Sequence, residues 1–399
     1  MSSIDKTYYD KLMQVVSCAI NNVPLSKDLQ TLQCNEDFRT AAKEHMLESC
    51  SEYAFILSCE DEETKKEIHA FWDNANARML RVNLSYEAER KKIFNWLTNQ
   101  KIWHMPLKGC VIAQLYPNLG LRQMFDNDFL YDADNGNDVA LRDYMIEKGY
   151  KCESFNIGAD DHYTKPPFLY FEPHRKLFIG AGAKGEEHYY KDVRSRLIPC
   201  ENNEYELAFT NEDFYIYLLT HSVKHLRGNS AGLRTLVDIY LYIQNYNSQL
   251  NWKYIEQELN TLCVAGESAM LKACALKLLQ KPTNVADAKL TKEEEALFWR
   301  VAYAGVDGNI ERIIAGKLKD INEGDKKAVA KAKRSYIMSR IFPSIEKTSE
   351  WYPILRKHRW LYPAIWVVRC FKLAFNRRDF MAKEFKELNK ATAEKSENQ

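Results

Sequence analysis

The sequence is poor in helix breakers where it begins and lacks the usual cysteine staples throughout. Its first 100 residues hold no glycine and one proline, Pro24, which favours long helices there. The 10 cysteines of the 399-residue chain never form a Cys-x-x-Cys pair, which excludes a zinc ribbon and a thioredoxin motif. Scattered thiols in a chain of this size fit a reducing compartment, and a cytoplasmic location is expected. Neither sign of charge dominates. With 56 Lys and Arg against 55 Asp and Glu, a nucleic-acid grip spread over the whole surface is not expected. No apolar run spans a bilayer, which needs about 20 residues. The best candidate, Leu361 to Val368, stops at Arg369. No apolar segment of signal-peptide type follows the first residues. What remains is ordinary globular composition, 46% hydrophobic and 28% charged, enough for two or three packed units.

Four regions follow from the patterning. Residues 1–100 read as helical, with Ile93, Trp96 and Leu97 on one stripe at helical spacing. Residues 101–203 read as an α/β core: strands at 102–105, 124–131 and 168–172, the last closed by Pro173, and a helix at 138–148 stopped by Gly149. Residues 204–340 read as helical again. Thr210 to Asp213 form a capping box, and helices are expected at 233–246, 251–261, 266–280, 291–303 and 325–340. Residues 341–399 form a basic, aromatic segment with a polar tail. Over 331–383, 13 Lys or Arg meet three acids. That excess supports three readings: a helical cap on the core, peripheral membrane contact through a helix at 363–378, or RNA contact, in that order.

Three pieces carry chemistry. Gly109 opens a helix after a short apolar strand, where backbone N–H groups and the adjacent Lys108 can receive phosphate. Asp126 and Asp128, two apart on a strand, hold two carboxylates on one face, and a cation is needed to neutralise them. The flanking Met124, Phe125, Phe129 and Leu130 argue for a buried strand rather than a solvated turn. Glu172 ends an apolar strand and needs a partner, which a shared metal or a rim salt bridge supplies. His174, two residues on, shares its face and either orients a substrate or packs.

The order Lys-Gly before a helix, Leu115-Tyr-Pro, Arg122-x-Met-x-Asp-x-Asp-x-Leu130 and a strand ending Glu172-x-His174 resembles the uncharacterised nucleotidyltransferase family. That family lies within the DNA polymerase β-like superfamily. The resemblance runs from about residue 85 to 378. It implies an α+β fold, a minimal core of a small mixed sheet with helices mainly on one face, set between helical N- and C-terminal regions. It implies that Asp126, Asp128 and Glu172 are the catalytic, metal-binding carboxylates, and that Gly109 holds nucleotide phosphates with Lys108. Arg122 either cradles phosphate or braces its loop. The implied cofactor is Mg²⁺, two ions bridged by Asp126 and Asp128, with Mn²⁺ as substitute. The implied reaction moves an NMP from an NTP to a hydroxyl acceptor (a sugar, metabolite, peptide or protein) and releases pyrophosphate, with Glu172 helping to deprotonate the acceptor. A long polynucleotide acceptor is disfavoured by the neutral charge. Two departures, Cys110 for a small hydroxyl residue and Pro173 after the glutamate, support an alternative: an inactive scaffold of the same fold, peripheral to a membrane.

Weaker signals surround this set. Gly180 to Gly185 spell Gly-x-Gly-x-x-Gly after a strand at 176–179, but no βαβ unit follows, so a loop is expected. His221 and His225 have zinc-binding spacing without a third ligand and are read as core or site-wall residues. Arg234 and Asp238 are spaced for an i, i+4 ion pair, with Arg234 facing the cleft as the other option.

Overall fold

The computed structural model describes residues 5–179, 184–228, 230–305 and 354–376, with isolated positions between 334 and 352. The expected helix at 325–340 is described only at Arg334 and Met338, both helical, and the glycine-rich stretch 180–183 lies outside these residues. The chain divides into two compact units: Met1–Leu177 with His188–Asp307, and Phe178–Glu187 with Gly308–Gln399.

The first unit opens with six helices: α1 (Lys6–Asn21), α2 (Lys27–Gln30), α3 (Glu36–Glu44), α4 (Glu48–Leu57), α5 (Glu62–Phe71) and α6 (Ala75–Asn99). Short polar side chains start several of them. Asn35 accepts from the Phe38 N–H at 2.8 Å and Asp61 from the Thr64 N–H at 2.7 Å, satisfying N–H groups that have no helical partner. The 25-residue α6 needs no tertiary kink because no glycine or proline interrupts it.

The sheet follows: β1 (His104–Pro106), α7 (Gly109–Ile112), β2 (Asn127–Tyr131), α8 (Asn137–Glu147), β3 (Lys151–Ser154), β4 (His162–Lys165), β5 (Leu169–His174), α9 (Lys184–Tyr189), β6 (Leu197–Cys200) and β7 (Asn203–Phe209). Seven strands stand in the order β3-β4-β5-β2-β1-β7-β6. β2 runs parallel to β5, and β1 parallel to β7; the other neighbours are antiparallel. The fold is mixed α+β, as expected.

Strand periodicity sorts this sheet into two faces. Phe129, Tyr131, Tyr163, Leu169 and Phe171 are buried in one cluster with Tyr86, Phe94 and Leu97 of α6 and Leu141 and Met145 of α8. Each such side chain contributes roughly 2 kcal/mol of transfer free energy. The alternate positions, Asp128, Glu172, His174 and His162, therefore point to the opposite face. The Tyr86 hydroxyl locks the helix to the sheet. It lies 3.0 Å from the Phe125 carbonyl and 3.1 Å from the Phe168 carbonyl, and it accepts from the Tyr170 N–H at 3.1 Å.

Several expectations need correction. β2 starts at Asn127, so Asp126 precedes the strand, and Phe125 is 71% exposed instead of buried. β5 runs through Pro173 to His174. Proline cannot donate, yet its carbonyl still accepts from the Asp161 N–H at 3.0 Å, so the ladder continues. Residues 203–209 are a strand, and no strand forms at 176–179. β3, β4 and β6 were not expected at all.

After β7 the helices are α10 (Asn211–Arg227), α11 (Arg234–Tyr246), α12 (Trp252–Thr261), α13 (Ala265–Leu279) and α14 (Lys292–Ala304), close to the expected spans. Thr210 caps α10 by accepting from the Asp213 N–H at 3.1 Å. The Asp213 carboxylate does not complete the box; it accepts from the Tyr254 hydroxyl at 2.9 Å. In the second unit, α15 (Ile354–Lys357) and α16 (Tyr362–Asn376) follow, and Trp366 stacks on Phe342 with centroids 4.8 Å apart. A C-terminal helix is therefore present. The side chains of its last turn, Phe371, Lys372 and Phe375 included, lie outside the described residues. Among the described residues no helix is long and apolar enough to cross a membrane.

Candidate functional site

Two short pairs at i, i+2 spacing, Glu172 with His174 and Asp160 with His162, meet Asp128 on one sheet face. Asp128 of β2 is in register with Glu172 of β5. β4 pairs antiparallel to β5 with Tyr163 opposite Phe171, which sets His162 opposite Glu172. An isolated bridge sets Asp160 opposite His174. Neighbouring strands lie about 4.8 Å apart, so these side chains form a contiguous patch. Ligand atoms of Asp128, Glu172 and His174 fall within 4.8 Å of one another, and so do those of Asp160, His162 and Glu172. Glu172 belongs to both groups.

Of the three expected carboxylates, Asp128 and Glu172 share a ligand group and Asp126 does not, although its charge reaches both neighbours. Asp126 and Asp128 raise each other's cost of ionisation. Burial and then Asp128 push the Asp126 carboxyl above its usual range. Burial and the charges of Asp128 and Asp126 push Glu172 up to about 8. Asp128 goes the other way. Burial alone would raise it, but the Lys108 ammonium and then His174 outweigh burial and hold it well below the carboxylate range.

Lys108 is the nearest cation. Its Nζ lies 2.8 Å from Asp128 Oδ2, and the pair is mostly buried. The backbone of Lys108 has φ +39°, a left-handed value unusual for a side-chain-bearing residue. Two sites of burial fix this turn. The Leu107 N–H donates to the Asp128 carbonyl at 3.0 Å, and the Cys110 thiol donates to the Leu107 carbonyl at 3.1 Å. Cys110 therefore turns inward, and burial raises its thiol pKa.

Gly109 has a close neighbour in Arg122. A Cβ here would stand 2.6 Å from Arg122 Nη1, so the missing side chain lets the guanidinium pass. Arg122 braces the loop. It donates to both Asp238 oxygens, Nε at 3.0 Å and Nη2 at 2.8 Å, and the Tyr116 hydroxyl donates to the same carboxylate at 2.8 Å. Asp238 thus pairs with Arg122 and not with Arg234 one turn away. Arg234 donates from Nη1 to the Gln123 carbonyl at 2.5 Å. Gln123 in turn donates to Glu48 of α4 at 3.3 Å, and Asn83 of α6 donates to the Arg122 carbonyl at 3.0 Å. Residues of α4, α6 and α11 together hold the segment that delivers Asp126.

His174 is 6% exposed, packed within the site and not on an outer wall. Its Nε2 stands 3.7 Å from Asp128 Oδ1. His221 and His225 of α10 stack edge-on, centroids 4.3 Å apart. Burial and the Lys108 charge lower both, His221 well below its ordinary value and His225 to about 4. Both rings are neutral at pH 7. Sequence reasoning missed Asp160 and His162, although Asp160-x-His162 repeats the spacing of the other two pairs. It also missed that Asp238 anchors Arg122.

A dication fits the residues present. Asp128 Oδ1 and both His174 ring nitrogens are buried without a hydrogen-bond partner among the described residues, as ligands held for an ion would be. A family model described as "Uncharacterised nucleotidyltransferase" matches residues 36–279. Neither a curated protein nor a solved structure matches. The match covers more than half of the chain, and it takes in every side chain of the acidic patch: the chain belongs to the uncharacterised nucleotidyltransferase family.

Proposed function

We propose that the protein is a divalent-metal-dependent enzyme that moves an NMP from an NTP to a hydroxyl acceptor and releases pyrophosphate. The observation that supports this is the grouping of Asp128 and Glu172 at one sheet face, with the Asp126 carboxylate close enough to raise the Glu172 pKa, in a chain of the nucleotidyltransferase family. Bound there, a dication supplies Lewis-acid polarisation of phosphoryl oxygens. Asp128 and Glu172 would hold it, with the Asp126 carboxylate beside them adding negative charge. Glu172, ionised once the dication is bound, would accept the acceptor's proton. Lys108 swings from Asp128 to the triphosphate, with backbone N–H groups near Gly109. Arg122 does not touch phosphate; it positions the loop. Acceptors in keeping with this reading are a sugar, a metabolite, a peptide or a protein.

The test is transfer from α-labelled NTPs to components of a cell extract. Asp126→Asn is a cleaner variant than Asp128→Asn, because Asp126 stands outside the Lys108 pair. We expect Asp126→Asn to fold and to lose transfer by at least about 100-fold. Unchanged turnover in that variant would remove the carboxylates from the mechanism. One observation favours a second reading, an idle scaffold: Lys108 already neutralises Asp128 without a metal. Thermal stabilisation by NTP with Mg²⁺ supports the enzyme; no shift for any NTP and no metal binding support the scaffold.

A further inference from the structure

The metal-binding groups at this site are not all oxygens. His174 is 6% exposed and Asp128 4% exposed, and His174 Nε2 faces Asp128 Oδ1. Neither ring nitrogen of His174 has a hydrogen-bond partner among the described residues, and Asp128 Oδ1 has none either. Lys108 takes only the other oxygen, Oδ2. A buried imidazole that faces a carboxylate but makes no hydrogen bond at normal distance forfeits about 1–3 kcal/mol per polar group, and a ligand between the two would recover it.

The spacing names the ligand. His174 Nε2 is 3.7 Å from Asp128 Oδ1, too long for a hydrogen bond. Two donors each about 2.1 Å from one ion, at a tetrahedral angle, lie roughly 3.4 Å apart. The gap therefore suits an ion between them, and Glu172 offers a third donor within 4.8 Å of both. The neighbouring group is less available. His162 is bonded through Nδ1 to the Tyr170 hydroxyl at 2.7 Å, and its Nε2 lies 3.4 Å from Asp160.

We propose that His174 coordinates the cation held by Asp128 and Glu172, so that the centre takes a first-row transition dication in preference to Mg²⁺. This deepens the nucleotidyltransferase reading and rests on it. Mg²⁺ favours an all-oxygen octahedron and keeps its waters. One nitrogen and two carboxylates suit Mn²⁺, Fe²⁺, Co²⁺ or Zn²⁺ instead. The consequence is that His174 works as a ligand and not as a substrate contact.

The experiment loads the full-length protein with Mn²⁺ alone and reads ¹⁴N coupling by pulsed electron paramagnetic resonance, with affinities from calorimetry. The wild type is expected to show imidazole coupling. His162→Ala retains it. His174→Ala loses it and weakens Mn²⁺ binding about tenfold or more, with Mg²⁺ affinity little changed. The wild-type spectrum decides the matter even where a variant fails to fold. Mn²⁺ bound without nitrogen coupling, or coupling lost in His162→Ala and kept in His174→Ala, overturns the inference and leaves the enzyme reading standing. A wild type that binds no Mn²⁺ overturns both.

Discussion

Lys108 and Asp128 form the most consequential side-chain pair in the molecule. The ammonium sits where a metal's charge is wanted, 2.8 Å from Oδ2. Burial disfavours the Lys108 ammonium, but Asp128 outweighs burial and keeps it charged. Lys108→Ala should therefore act in two directions. Without metal, the uncompensated carboxylate destabilises the fold by about 3 kcal/mol. With metal, the competitor is gone and apparent affinity rises. Chemical denaturation with chelator and calorimetric titration read the two effects; a metal affinity that falls would sink the competition. Glu172 gives a proton count. Its pKa in the metal-free fold is about 8 against 4.5 for an ordinary glutamate. A carboxyl with a raised folded pKa binds more protons folded than unfolded, so metal-free stability falls as pH climbs from about 4.5 through 8. Metal binding at pH 7 should release close to one proton, read from calorimetry in two buffers of different ionisation heat. Release absent at pH 7 would mean that Glu172 is not a ligand.

At the scale of elements, the strand period made the site legible. Asp126-x-Asp128 and Glu172-x-His174 are spaced two apart, and the alternating Phe129, Tyr131, Leu169 and Phe171 of the same strands mark the buried face. The same rule missed Asp160-x-His162. β4 has four residues and no apolar run, so nothing in its sequence announces a strand. Arg122 was legible only as a choice between two roles, because its partner Asp238 lies 116 residues away. Contacts at that separation come from packing and leave no local pattern. Gly109 tests the brace. An alanine there meets Arg122 Nη1 at 2.6 Å, and the bidentate pair prevents the guanidinium from yielding freely. Gly109→Ala is expected to cost about 1–3 kcal/mol of stability and to lower transfer by displacing the loop before Asp126. Urea denaturation alongside the transfer assay checks this. Wild-type stability and turnover would show that the contact relaxes without consequence.

At the scale of the whole molecule, the sheet does not stand alone. Helix content at both flanks was legible from the absence of glycine and from helical spacing, whereas which helices touch which was not. α1 lies before the family match begins at residue 36, yet Leu12, Met13, Val15 and Val16 are fully buried. Ser17 and Asn21 of α1 donate to the Leu279 carbonyl at the end of α13, at 2.9 and 2.8 Å. A fragment of residues 36–279 should thus fail to fold, exposing the face of α13 that α1 covers. Circular dichroism and a thermal melt decide it, and a cooperative melt at the full-length temperature would refute it. The lysine at the acidic patch then has a consequence for the life of the chain. Under the proposed reading, a newly made polypeptide carries its own stand-in cation at Asp128, and metal loading would be an exchange of one positive charge for another.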